Sequence, residues 1–203
     1  MEDRAIKKEA AKKETASKET TSRRGLKCLG ALVLLALPLT ACTGHHKPFK
    51  GCVDFESVPL GVDYVAFNSF TDSGVTMTVD LFQWSNGTWV TGNQTRADSD
   101  QMAGGSGKDM NLNNVNLRFD FGPWGAEDLT VAVGEYGGNI NLRVNGDHQN
   151  FQNFPDVHGT TIGGVTVSVA GGAQNQLGTL SLSGQVDSFS IGGQELWIDD
   201  VCS

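Results

Sequence analysis

From Gly51 onward the chain keeps returning to one pattern, apolar and polar residues in strict alternation. Val75 to Leu81 reads Val-Thr-Met-Thr-Val-Asp-Leu, and Val115 to Phe121 reads Val-Asn-Leu-Arg-Phe-Asp-Phe. The same period of two runs through Leu129–Val133, Ile140–Val144, Val165–Val169 and Leu180–Leu182. A period of two with β-branched and aromatic residues predicts strands with one buried face. Asn86-Gly87 and Asn145-Gly146 stand between such runs and predict tight hairpin turns. No segment carries a helical period of useful length. The 26 glycines fall between the strands, where turns need them. Ten or so short strands in one domain predict an all-β fold, a two-sheet sandwich or barrel.

The front of the chain has another character. Residues 1–25 are rich in Lys, Glu and Thr and have no hydrophobic face. Such a segment does not bury enough apolar surface to fold alone. It reads either as a start codon placed too early, with initiation near Leu26, or as an extended basic leader. Arg23, Arg24 and Lys27 precede an apolar run from Leu29 to Leu39, which ends in Leu39-Thr40-Ala41-Cys42. The run is too short for a permanent membrane span, which needs about 20 residues. Its length suits a signal-peptide core. Basic flank, short apolar core, small residues and a cysteine resemble a bacterial lipoprotein signal peptide with its lipobox. That resemblance implies a signal peptide over 26–41, lipidation at Cys42 and a polar tether over 42–50. It also implies a cell-envelope location, held to a membrane by the lipid anchor. Thr43 resembles the sorting pattern for the outer membrane, if the cell is Gram-negative. The folded domain is then 51–203.

Charge separates the two parts. Residues 1–27 hold nine of the 15 Lys and Arg and five of the 23 Asp and Glu. Cys42–Ser203 therefore keeps 6 basic against 18 acidic residues, a net of −12. This argues against nucleic acid as a partner, since phosphate binding needs clustered Lys and Arg. It also predicts a neutral or cationic ligand, because anionic polymers are repelled at long range.

Cys52 and Cys202 stand at the two ends of the domain. In an oxidising compartment this even pair predicts a disulfide. The bond makes the end strands neighbours, as the first and last strands of a jelly roll are. Cys-x-Asp-Phe-Glu at the start and Ile-Asp-Asp-Val-Cys at the end resemble the ends of MAM-type and galactose-binding-like jelly-roll modules. The resemblance rests on Asp54, Phe55, Glu56, Ile198, Asp199 and Asp200, and the internal cysteines of the MAM pattern are missing. It implies an extracellular, jelly-roll-like β-sandwich with a structural calcium near these ends. With Cys52 opposite Cys202, Asp54 is expected to face Asp200. Asp54, Glu56, Asp199 and Asp200 are the candidate calcium ligands, with Asp72-Ser73-Gly74 as a further source of oxygens.

Catalytic patterns are sparse. There is no Gly-x-Ser-x-Gly elbow, and Asp98-Ser99-Asp100 reads as a solvated loop. His148 and His158 read as surface-loop residues. The aromatics are more suggestive. Trp84, Trp89 and Trp124 lie in or beside turns, and Tyr136 precedes Gly137-Gly138. Aromatic rings in loops offer stacking platforms for sugars, with Asn86, Asn93, Asn150 and Asn153 as polar partners. The competing reading makes these rings caps on the sandwich core. Trp197, between Leu196 and Ile198, is expected to pack. The expected function is a non-catalytic binding module for carbohydrate or another surface polymer. The alternatives are a structural or adhesive envelope protein acting through protein contacts, and a secreted hydrolase.

Overall fold

The computed structural model describes residues 47–203. The leader, the signal peptide and Cys42 lie outside the described residues. Sixteen strands follow in chain order: β1 Cys52–Val53, β2 Ser69–Asp72, β3 Val75–Asp80, β4 Phe82–Gln83, β5 Trp89–Val90, β6 Gln94–Asp98, β7 Asp109–Asn113 and β8 Val115–Asp120. Then come β9 Ala126–Glu135, β10 Ile140–Val144, β11 Asp147–Phe151, β12 Thr161–Ile162, β13 Val165–Gly171, β14 Gln176–Val186, β15 Phe189–Gly193 and β16 Leu196–Cys202. The helical content of the described residues is 3-10, at Phe154–Val157.

Two antiparallel sheets form a β-sandwich. One runs β12-β13-β14-β9-β16-β7-β6, with β1 also paired to β16. The other runs β11-β10-β15-β8-β3-β2. From β7 to β10, and again from β14 to β16, consecutive strands alternate between the sheets. Each crossing carries an apolar row inward. Val115, Leu117 and Phe119 of β8, Ile140, Leu142 and Val144 of β10, and Val131, Val133, Ile198 and Val201 of the facing sheet are all buried in one core. Their polar neighbours point out, as the pleat requires. The alternation in the sequence thus places Asn116 and Arg118 on the outer face of the second sheet, with Asn141 and Arg143 beside them.

The disulfide joins Cys52 to Cys202, with Cα atoms 4.1 Å apart. The flanking residues Gly51 and Ser203 exchange both backbone hydrogen bonds, at 3.2 and 2.9 Å. The cysteines therefore occupy the close, non-hydrogen-bonded position of the ladder, which suits a bridge. The register is the expected one, but the ladder ends at Val53↔Val201. Asp54 and Asp200 are not a strand pair. Phe55 and Asp200 both have positive φ, at 58° and 46°, and turn the backbone out of the ladder.

Asn145-Gly146 is the expected two-residue turn between β10 and β11, with φ of 50° and 85°. Both central residues at positive φ define the type I′ hairpin. The turn sets Arg143 opposite His148 and Asn141 opposite Asn150. Asn86-Gly87 lies in the five-residue turn of the β4–β5 hairpin, where Thr88 N–H donates to Asn86 Oδ1 at 2.9 Å.

Candidate functional site

The outer face of the second sheet carries two rows of side chains set by register. One row runs His148, Arg143, Ser190, Arg118, Thr78 across β11, β10, β15, β8 and β3. The next runs Asn150, Asn141, Gly192, Asn116, Asp80. Gly192 keeps the second row open. A Cβ there would lie 2.1 Å from Asn116 Oδ1 and 2.2 Å from the Val115 carbonyl.

The β4–β5 hairpin lies over the second row and is pinned through Gln83. Gln83 N–H donates to Asn141 Oδ1 at 3.0 Å. The Nδ2 groups of Asn139, Asn141 and Asn150 all donate to the Gln83 carbonyl, at 3.2, 2.9 and 2.9 Å. Gln83 Oε1 lies 2.9 Å from His148 Nε2. Burial pushes the His148 pKa down, and the Arg143 charge adds to this, while Asp147 opposes it. A proton on Nε2 is the arrangement that this contact with the Gln83 oxygen calls for. Asn116 Nδ2 secures the link between β3 and the hairpin by donating to the Leu81 carbonyl at 2.6 Å.

The hairpin presents Trp89, which is 47% exposed. Its ring sits 5.1 Å from the His148 ring, inclined at 43°. Another aromatic wall comes from Phe67, 69% exposed. Its φ of 73° is unusual for a bulky residue. A tight turn holds it, with Asn68 N–H donating to the Val65 carbonyl at 2.9 Å and Phe67 N–H donating to the Val79 carbonyl at 2.7 Å.

Phe67, Trp89, Leu81, Asp80, Asn116, Asn141, Arg143, His148 and Ser190 line a cleft of about 440 Å³. A smaller cleft of about 260 Å³ shares Arg143 and Ser190 and adds Arg118, Gly146, Ser188 and Phe189. Two exposed aromatics over a floor of amides, a hydroxyl and a guanidinium can hold a polar, ring-shaped ligand. Asp80, the carboxylate lining the larger cleft, accepts from Arg118 Nε at 2.8 Å.

The structure separates the four aromatics expected as platforms. Trp89 lines the cleft. Trp84 packs edge-on against Phe82 at 5.1 Å. Tyr136 packs edge-on against Trp197 at 5.2 Å and donates its hydroxyl proton to the Met102 carbonyl. Trp124 is exposed in the β8–β9 connection, and its carbonyl accepts from Gln185 Nε2. Among the amides expected as partners, Asn150 is at the site, where it holds the hairpin. Asn86 closes its own turn, Asn93 donates to Asn113, and Asn153 caps the 3-10 turn. His148 is on a strand and in the cleft, contrary to its reading as a loop residue, because the Asn145-Gly146 turn folds β11 back along β10. His158 accepts at Nδ1 from Val169 N–H. Sequence reasoning missed Phe67, Asp80, Asn116, Asn141, Arg143 and Ser190. The signal for four of them was present, since polar residues at alternate positions of one sheet share its outer face.

The acids expected to bind calcium do not gather into one cluster among the described residues. Asp54 Oδ1 accepts from Glu56 N–H at 3.3 Å, and Glu56 Oε1 accepts from Lys108 N–H at 2.7 Å. Asp72 accepts from the backbone N–H groups of Phe55 and Ser57, both at 3.2 Å. Asp199 is fully buried, and its Oδ1 accepts from Asp200 N–H at 2.7 Å. Its Oδ2 is buried without a hydrogen-bond partner. Burial above all, then the charges of Asp200 and Asp109, push the Asp199 pKa up to about 7, against the opposing effect of backbone donors. Among the described residues, no group of three or more His, Cys, Asp or Glu side chains is arranged to hold a metal ion. No protein-family model, curated protein or solved structure matches the chain.

Proposed function

We propose that the chain is an exported, lipid-anchored binding protein whose sandwich domain holds a polysaccharide in the cleft beneath Trp89. The observation that carries this reading is the pinned hairpin. Several buried amides are used to hold a tryptophan half-exposed over a polar floor, where hydrophobic burial alone would have drawn it inward. Aromatic face and amide edge together suit a sugar ring. The cleft supplies one carboxylate, engaged by Arg118, where glycoside hydrolysis needs two. That favours binding over the hydrolase reading.

The test is Trp89→Ala in the full chain, measured by affinity electrophoresis through gels containing polysaccharide. Retardation is lost while the melting temperature stays within a degree or two of wild type. A fall in stability of about 3–5 kcal/mol with unchanged retardation would make Trp89 a core residue. The protein-contact reading has its own support, the exposed Leu60, Val62 and Val65 beside Phe67. It becomes the better one if no glycan retards the wild type.

The export part of the proposal is tested by metabolic labelling with a clickable fatty acid. Wild type is labelled, and Cys42→Ala is not. We also propose a structural calcium at Asp54, Glu56, Asp199 and Asp200, a reading supported by the unpartnered Oδ2 of Asp199. An ion that binds only the folded state raises stability by mass action. Melting then rises in millimolar calcium and falls with chelator, and Asp200→Asn blunts the response. An unchanged midpoint overturns the calcium proposal.

A further inference from the structure

Resting on the sugar-binding reading, we infer that the cleft takes an acidic sugar, a hexuronate unit whose carboxylate is received by Arg143. Six cationic side chains serve Cys42–Ser203: Lys47, Lys50, Arg96, Lys108, Arg118 and Arg143. Three are in ion pairs, Lys50 with Glu127, Arg96 with Asp63 and Arg118 with Asp80. Lys108 Nζ is taken up by the carbonyls of Glu56 and Val58. Lys47 and Arg143 remain, and of these two Arg143 is the one that lines a cleft. Among the described residues it joins no ion pair, and its one hydrogen bond is a long one, Nε to the Gly146 carbonyl at 3.4 Å.

No carboxylate among the described residues lies in ion-pair contact with Arg143. The strand neighbours of Arg143 are Ser190 and His148. Asp147, the carboxylate of the same hairpin, is directed elsewhere, accepting from Gly163 N–H at 3.1 Å and from Gln149 Nε2 at 3.4 Å. The Arg118–Asp80 pair cancels itself. Arg143 lines both clefts and so stands where they meet. A pyranose lying on Trp89 would carry its ring substituents toward that junction. A guanidinium fork matches a planar carboxylate through two parallel N–H donors. The net charge of −12 acts over the whole surface, but salt screens it beyond about 8 Å at physiological ionic strength. It therefore does not decide a direct contact. The expectation of a neutral or cationic ligand, drawn from total charge, gives way here to local charge. Asp80 in the cleft favours one carboxylate per sugar over the denser charge of a sulfated chain.

The experiment runs the full chain through gels containing polygalacturonate, alginate or hyaluronan. Parallel gels hold the carboxyl-reduced form of each polymer, dextran sulfate, or neutral dextran and xylan. At least one uronate polymer retards the wild type, and its carboxyl-reduced form does so at least about tenfold more weakly, as expected for loss of a charged hydrogen bond. Arg143→Gln loses retardation by a similar factor. Arg143→Lys keeps the charge without the fork and falls between. Lys50→Gln, which removes an equal charge outside the cleft, binds as wild type. Melting curves check that each variant is folded. Should Arg143→Gln not fold, Arg143→Lys and the carboxyl-reduced polymers carry the decision. Equal binding to uronate and carboxyl-reduced polymer would overturn the acidic-sugar inference and leave the sugar reading intact. So would binding to dextran or xylan unaffected by Arg143→Gln. Retardation by dextran sulfate alone would replace the carboxylate by a sulfate ester and overturn it as well. Retardation by no polymer at all overturns both readings.

Discussion

Gln83 organises the cleft through its backbone. Its carbonyl receives three asparagine amides and its N–H is answered by Asn141 Oδ1. Asn141 makes both kinds of contact and is 1% exposed. Asn141→Ala would leave a half-buried N–H without its acceptor, a loss of about 1–3 kcal/mol. The expected outcome is a lower melting temperature together with a shift in Trp89 fluorescence, since the hairpin that carries the ring is released. Glu135 offers a pH test elsewhere in the domain. It is 1% exposed, with Oε1 accepting from Gly138 N–H and Oε2 without a partner. Burial raises its pKa above the ordinary 4.5, the Gly138 donor opposes this, and the Asp156 charge reinforces it. The folded chain therefore binds more protons than the unfolded one between 4.5 and the raised value. Its contribution to stability falls as pH rises through that window. Urea midpoints measured from pH 4 upward follow this slope, and Glu135→Gln flattens it.

At the scale of the elements, the β10–β11 hairpin decides which residues meet. A slip of one residue in its register would send Arg143 and His148 to the other face of the sheet. The Asn145-Gly146 turn prevents this, and Asn145 Oδ1 also accepts from Asp187 N–H at 2.7 Å, tying the turn to the next crossing. Gly146 has φ of 85°, and a Cβ there would meet nothing within 4 Å. Gly146→Ala thus isolates the cost of a left-handed backbone, about 1–2 kcal/mol, read as a drop in the denaturation midpoint. Gly192→Ala is a different case. Its Cβ would strike the backbone of β8, so β15 must move, and both stability and ligand retention fall.

For the whole molecule, the bond between Cys52 and Cys202 closes a loop across 150 residues. The chain-entropy model assigns such a loop about 5 kcal/mol. The double variant Cys52→Ala, Cys202→Ala is expected to unfold at a clearly lower denaturant concentration than the oxidised wild type. Reduction of the wild type moves its midpoint toward that of the variant. The cleft lies on the other sheet from β1 and β16, so sugar retardation by the still-folded double variant stays near the wild-type value. Loss of retardation well below the unfolding midpoint would mean that the terminal ladder also supports the ligand face.

By itself the sequence determined the all-β class, the Asn145-Gly146 turn, the terminal pairing of Cys52 with Cys202 and the inward rows of the long strands. These follow from local rules: a period of two, the need for positive φ at a tight turn, and an even pair of cysteines at the domain ends. Phe82–Gln83, Trp89–Val90 and Phe189–Gly193 were not legible, because two residues carry no period and the glycines of the third break its alternation. Which tryptophan would line the cleft was equally hidden. Trp84, Trp89 and Trp124 all sit in turn-like sequence, and what separates Trp89 from Trp84 is a polar floor in place of Phe82. The meeting of Arg143, Ser190, Asn116 and Asp80 was decided by tertiary structure alone. These residues come from four strands between positions 80 and 190, and only the sheet order sets them side by side.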